Sequence, residues 1–222
     1  MLELIQQNEL LGKGLGLMSI SRLVKKGVLG NVGYGYYVRN PNTLKLERDN
    51  TMSIINGLLD DYPIVPNRTV FSSISLNFCI NQLISSTTYI VEVEKEYLQS
   101  VFELIKKNVE NAVLFRPTEA DKLNYWRPGA IYLTELFKRS PVHKDGTIAI
   151  EKLIVDLLFD DTFYSLYSGQ DIKSAIDILC SKYLINYKTL LSYASRKNRK
   201  KQLLSEIGSY IPKQVLEAIG RD

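Results

Sequence analysis

Long apolar runs are missing from this chain of 222 residues. None approaches the roughly 18 consecutive apolar residues of a membrane-spanning helix, so no membrane partner is expected. The opening Met-Leu-Glu-Leu-Ile-Gln-Gln lacks the basic start and apolar core of a secretion signal, which predicts a cytoplasmic protein. Cysteine is scarce: Cys79 and Cys180 form no Cys-x-x-Cys pair, which argues for reduced thiols and against a disulfide scaffold. The only histidine, His143, follows Pro141 in a loop and has no second histidine or cysteine with which to share a metal. No Gly-x-Ser-x-Gly elbow marks a nucleophile. The alternating glycines of Gly12-Lys13-Gly14-Leu15-Gly16 follow no strand and lead into no Gly-Lys-Ser/Thr, so they read as a flexible turn rather than a phosphate loop. Neither a metal nor a cofactor is expected.

What is present is an ordinary globular composition, 45% hydrophobic and 23% charged, with unevenly placed positive charge. The net charge is +4, yet residues 1–39 alone carry +3, from Lys13, Arg22, Lys25, Lys26 and Arg39 against Glu3 and Glu9. Residues 192–201 carry +5, from Arg196, Lys197, Arg199, Lys200 and Lys201. Clustered cations matter more for phosphate binding than the total does. The second cluster reads equally as the solvated end of a helix or as a second basic patch.

The first cluster has a recognisable frame. Residues 2–11 read as a helix, and after the glycine turn Leu17, Ile20, Leu23 and Val24 recur on one face of a second, basic helix. Gly27 sits where a left-handed cap would end it. Val28-Leu29 and Tyr36-Tyr37-Val38 then read as strands around a turn spanning 30–35. A helix followed by a β wing is how winged helix-turn-helix modules sit on DNA. In that frame Ser19, Ser21 and Arg22 lie nearest the bases, while Lys25, Lys26 and Arg39 hold phosphates. Tyr34 or Tyr36 reaches the backbone from the wing. The module is short, with its first helix missing or replaced.

Beyond Asn40-Pro41-Asn42 the pattern alternates. Helices are expected over 51–62, 76–84, 95–107 and 121–126, and strands begin at Val70 and cover 87–93, 111–115 and 130–133. From Ile150 onward the chain reads as helical, with Asn186 capping a helix through Ala194. The expected fold class is α/β, α+β overall. A winged-helix-like module over residues 1–50 precedes a mixed, partly parallel sheet domain with a helical C-terminal part over 51–222.

No catalytic constellation emerges. Glu92-Val93-Glu94-Lys95 is similar to restriction-type nuclease cores, but Val93 occupies the position two before the lysine where those need an acid. Glu92 and Glu94 read instead as strand exit and helix N-terminal charge. The pairs Asp60-Asp61 and Asp160-Asp161 read as element ends.

The order of Leu23-Val24-Lys25-Lys26-Gly27-Val28-Leu29, the Gly33-to-Tyr37 wing, Thr87-to-Lys95, Glu151-to-Leu158 and Tyr193-to-Lys200 resembles the AbiEi-type antitoxins of bacterial toxin–antitoxin pairs and phage defence. It also resembles a related family with the same two-part plan. That resemblance implies a non-enzymatic transcriptional autoregulator. Its N-terminal module binds DNA at its own promoter, and its C-terminal domain counters a nucleotidyltransferase-like toxin or faces that toxin's RNA target. Two alternatives stand beside it: a protein-interaction adaptor without DNA binding, and a metal-dependent nuclease using Glu92 and Glu94.

Overall fold

The computed structural model describes residues 3–61 and 65–220. It is an α+β protein with two sheets among the described residues. The chain opens with a short strand β1 (Ile5–Gln6), then helices α1 (Gln7–Gly12) and α2 (Leu17–Lys25), and the hairpin β2 (Leu29–Gly33) and β3 (Tyr36–Arg39). Residues 5–6 are therefore strand rather than the helix expected there. They pair antiparallel with Tyr36 and Tyr37, which puts β3 at the centre of a β1-β3-β2 sheet. Leu2 lies outside the described residues.

The hairpin turn is tighter than the sequence suggests. Gly33 pairs with Tyr36, leaving only Tyr34 and Gly35 as the loop, at φ 51° and 77°. Positive φ at both central residues belongs to the two-residue turn whose twist matches that of paired strands. Gly27, at φ 72°, ends α2 as expected.

The two faces of this small sheet are buried against different partners. Ile5 and Leu29 pack with Leu10 and Ile20 beneath α1 and α2. Val32 and Val38 instead enter the large core built from the C-terminal helices. Thus Val38 packs away from α2, and the N-terminal 50 residues share a core with the rest of the chain.

Helix α3 (Asn50–Asp60) is capped by Asp49, whose carboxylate accepts from the Met52 amide; Tyr62, the last residue of the helix expected over 51–62, lies outside the described residues. The second sheet then forms from β4 (Arg68–Ser72), β5 (Thr88–Val93), β6 (Val113–Phe115) and β7 (Ala130–Glu135), in the order β4-β5-β7-β6. β4 is antiparallel to β5, while β5, β7 and β6 run parallel. The parallel crossovers carry helices α4 (Leu98–Asn108) and α5 (Glu119–Tyr125). Strand alternation sends Val70, Val91, Val93, Ile131 and Leu133 onto α3 and α4. Phe71 and Ile90 point the other way, into the helical core.

Five further helices follow the sheet and an extended segment: α6 (Ile150–Phe159), α7 (Asp161–Tyr164), α8 (Gly169–Lys182), α9 (Tyr187–Arg196) and α10 (Lys200–Ile207). A sixth, α11 (Lys213–Ile219), closes the described chain. Asn186 caps α9 by accepting from the Thr189 amide at 3.0 Å, as its position predicts.

One expected helix is absent. Residues 76–84 form only the end of a 3-10 turn, Ser73–Leu76, followed by irregular chain. Side chains replace the helical ladder here. Asn77 bonds both backbone groups of Ile84, and Asp171 accepts from the amides of Asn81 and Gln82 at 2.9 and 3.1 Å. With Leu76 and Cys79 buried but Leu83 69% exposed, the apolar spacing of this segment marks anchor points, not a helical stripe.

Both cysteines are buried, and burial pushes each thiol up to about 12. Reaction with a thiol reagent is accordingly expected to be slow in native protein and complete for both residues in urea. Fast native labelling of either one would contradict this packing.

Candidate nucleic-acid interface

Helix α2 lies on the N-terminal sheet through Ile20, only 2% exposed, with Leu23 and Val24 partly buried beside it. The opposite face carries Ser21, Arg22, Lys25 and Lys26, all exposed, and Arg39 at the end of β3 is exposed as well. Ser19 is half-buried. Ser21, Arg22 and Lys25 of α2 fall at spacings of one, three and four, so they share one side of the helix, and Lys26 follows as its C-cap. Leu17 does not join the apolar face assigned to it. It is 61% exposed, and Met18 beside it is 73% exposed. The outward surface of α2 therefore begins with two apolar side chains and ends with two cations, with a third on the capping Lys26.

The frame that presents this surface is strand β1, helix α1, the turn through Gly14 at φ 81°, helix α2, then the β2–β3 hairpin. The Val28 amide donates to the Leu23 carbonyl at 3.0 Å, and the Asn40 amide donates to Val28, tying the end of α2 to both strands.

The wing tyrosines are held against the protein. Tyr34 and Tyr36 both pack on the large core, and the Gln6 side chain donates to the Tyr36 hydroxyl at 3.3 Å. The hairpin end meets α9: a Cβ on Gly33 would stand 2.8 Å from the Lys188 backbone nitrogen. Beside this contact lies a cleft of about 590 Å³ lined by Tyr34, Tyr37, Asn186 and Lys188. The hairpin is thus docked on the helical part rather than projecting as a free wing.

The second basic cluster divides. Lys197 is turned inward: its side chain is 12% exposed and binds Asp156 at 2.8 Å and Asp160 at 3.1 Å. Arg196 is committed too, donating to Ser192 Oγ and to the Arg139 carbonyl while lying over the Tyr193 ring. Arg199, Lys200 and Lys201 are exposed. The surface cluster is therefore three cations from this segment, not five: the aspartates on and after α6 draw in Lys197, and Ser192, the Arg139 carbonyl and the Tyr193 ring hold Arg196.

Those aspartates belong to a buried network. Lys152, fully buried on α6, pairs with Glu92 on β5 at 2.8 Å and with Asp156 one turn along. Tyr193 Oη donates to Asp156 at 2.9 Å, and Thr69 Oγ1 donates to Glu92. Burial pushes the Glu92 carboxyl up, with Lys152 opposing it. Burial acts on Asp156 in the same sense, but Lys152 and Lys197 outweigh it and hold that carboxyl low. For both lysines burial disfavours the ammonium, and the carboxylates around them more than compensate, holding Lys152 and Lys197 above the ordinary lysine range. Glu92 is therefore a core residue, not a strand-exit charge. Glu94 diverges from it and accepts from the Asn67 side chain at 3.0 Å. Among the described residues no cluster of three or more His, Cys, Asp or Glu could hold a metal ion.

Lys152 and Asp156 carry no motif, but a signal was available. Two opposite charges four apart inside the most apolar helix of the chain must be buried together or expose that helix. Asp160 follows the element-end expectation, ending α6 and capping α7 by accepting from the Thr162 amide. His143 is exposed in the loop after β7. No described helix is long and apolar enough to cross a membrane.

No curated protein matches this chain. A family profile does, over residues 17–213, which takes in everything from the start of α2 to the start of α11. The chain therefore belongs to the family of unknown function DUF6577.

Proposed function

We propose that this protein is a cytoplasmic DNA-binding autoregulator that reads its own promoter through α2. The observation that carries the reading is one exposed helix face bearing Ser21, Arg22 and Lys25, extended by the capping Lys26 and presented by a strand–helix–helix–hairpin unit. In helix-turn-helix modules, to which this reading likens the unit, the second helix enters the major groove by its N-terminal end. Ser21 and Arg22 then address base edges, while Lys25, Lys26 and Arg39 neutralise phosphates. The docked hairpin leaves Tyr34 and Tyr36 as positioning contacts of the fold, so the phosphate work falls to the lysines.

The likeness to AbiEi-type antitoxins adds the second half of the proposal: a nucleotidyltransferase-like toxin as partner of the C-terminal part, with no catalysis by this chain. The engagement of Glu92 by Lys152 weighs against the nuclease alternative. One observation favours the adaptor alternative, namely the exposure of Leu17 and Met18 at the leading end of α2. Apolar side chains there suit a protein surface as well as thymine methyl groups.

Fluorescence anisotropy with the native upstream duplex and a scrambled one, over a series of salt concentrations, separates these readings. Preferential binding to the native duplex is expected, weakened about tenfold or more by Arg22→Ala. The double variant Lys25→Ala/Lys26→Ala is expected to weaken both duplexes alike and lower the salt slope by about two. Absence of binding to either duplex would sink the regulator and leave the adaptor.

A further inference from the structure

The cavity where β5 and β7 begin is independent of α2 and of the buried ion network. It holds about 400 Å³, within the range of small-ligand sites, and is bounded by Thr88, Lys122, Trp126, Tyr132 and Ser86. Its lysine is unusual for a short surface helix. The Lys122 side chain is only 9% exposed, its Nζ lies 5.9 Å from the Tyr132 ring centre, and its ion-pair partner is Glu119, whose side chain is 68% exposed. An ammonium has three donors, and a solvated carboxylate one helical turn away is easily displaced. Beside it the indole of Trp126 is fixed by its Nε1–H donating to Thr88 Oγ1 at 2.8 Å, which holds a flat apolar surface in the cavity wall. Ser86 and Thr88 add hydroxyls to the lining, that of Thr88 already accepting from the indole.

We infer that this cavity binds a small planar organic anion, its charge on Lys122 and its ring against Trp126. A nearly buried cation in a cavity whose lining also carries hydroxyls suits a carboxylate, which it meets with charge-assisted hydrogen bonds. A rigid indole surface suits an aromatic ring, which stacks offset or edge-on with little loss of conformational freedom. Glu119 acts as the internal competitor: it occupies Lys122 when the cavity is empty of ligand and swings into solvent when a ligand carboxylate takes its place.

Trp126 is the sole tryptophan of the chain, so its emission reports the cavity directly. Titration of the full-length protein with benzoate is expected to change that emission saturably, at about millimolar concentration for so small a ligand. Cyclohexanecarboxylate, which keeps the charge but lacks the planar ring, is expected to bind several-fold more weakly. Lys122→Met should weaken benzoate about tenfold. Glu119→Gln removes an exposed side chain's charge without touching the packing, and it should tighten benzoate several-fold because the competing carboxylate is gone. Linear, non-saturating quenching would overturn the inference. So would a Glu119→Gln protein whose benzoate affinity equals or falls below that of the parent.

Discussion

Lys152→Met is expected to lower the unfolding free energy by about 3–5 kcal/mol, the cost of removing one partner from a buried ion pair. Methionine matches the length of the lost stem, so packing against Phe163 and Tyr193 is largely kept and the loss is electrostatic. Asp156 retains Lys197 and the Tyr193 hydroxyl, but Glu92 is left with only Thr69. The double variant Glu92→Gln/Lys152→Met should therefore recover much of the loss, because the stranded charge is gone while the Thr69 hydroxyl still has an acceptor. Urea titration of the two variants decides this. A double variant no more stable than Lys152→Met would show that shape, not charge, dominates the site.

The same network sets the pH limits of stability. Asp156 is held below its ordinary 3.8, so its contribution is present above that value and is lost as pH falls through the depressed one. Lys152 and Lys197 are held above 10.5, so theirs is complete below that value and is lost as pH rises through the raised ones. Glu92, raised by burial, acts in the opposite sense to Asp156: its protonation in acid favours the folded state and softens the acid limb. The urea midpoint of the parent protein is thus expected to fall steeply above pH 10.5 and that of Lys152→Met to fall less. Parallel alkaline limbs would contradict this assignment.

Gly33→Ala is expected to be nearly as damaging, at about 2–4 kcal/mol, from two additive causes. Gly33 has φ 97°, where a Cβ meets its own backbone. That Cβ would also stand 2.8 Å from the Lys188 nitrogen and 3.1 Å from the Asn186 side-chain oxygen that caps α9. Gly35 is the internal control. Its φ is 77°, yet nothing lies within 4 Å of a Cβ there, so Gly35→Ala should cost only the conformational share, about 1 kcal/mol. Equal losses in the two variants would mean that the hairpin does not depend on its contact with α9. If α2 reads DNA, Gly33→Ala should also reduce promoter binding, because the docked hairpin fixes the angle of α2 on the body.

Local patterning carried most of the elements. The β-branched run 87–93, the apolar stripe of α4, the Gly27 cap and the Asn186 cap are each determined by neighbours within a few positions, and each forms where the spacing places it. The exposed cations of α2 were equally legible, since a helix with one apolar face must turn the rest to water.

What the tertiary structure decided are the positions where distant residues compete with local pattern. Segment 76–84 has helical spacing, but Asn77 and the remote Asp171 satisfy its backbone and make the helix unnecessary. Residues 5–6 lie in a helix-like stretch, yet β3 offers them a ladder to pair with. Lys197 looks like one of five surface cations, and only the approach of α6 to α9 brings Asp156 within 2.8 Å and draws it inside. Sequence alone determined that α2 is a helix ended at Gly27 and that its outward face is cationic. The partners of buried charges, and the docking of the hairpin on α9, required the fold, because a charge or a strand edge is satisfied by whatever packing brings to it.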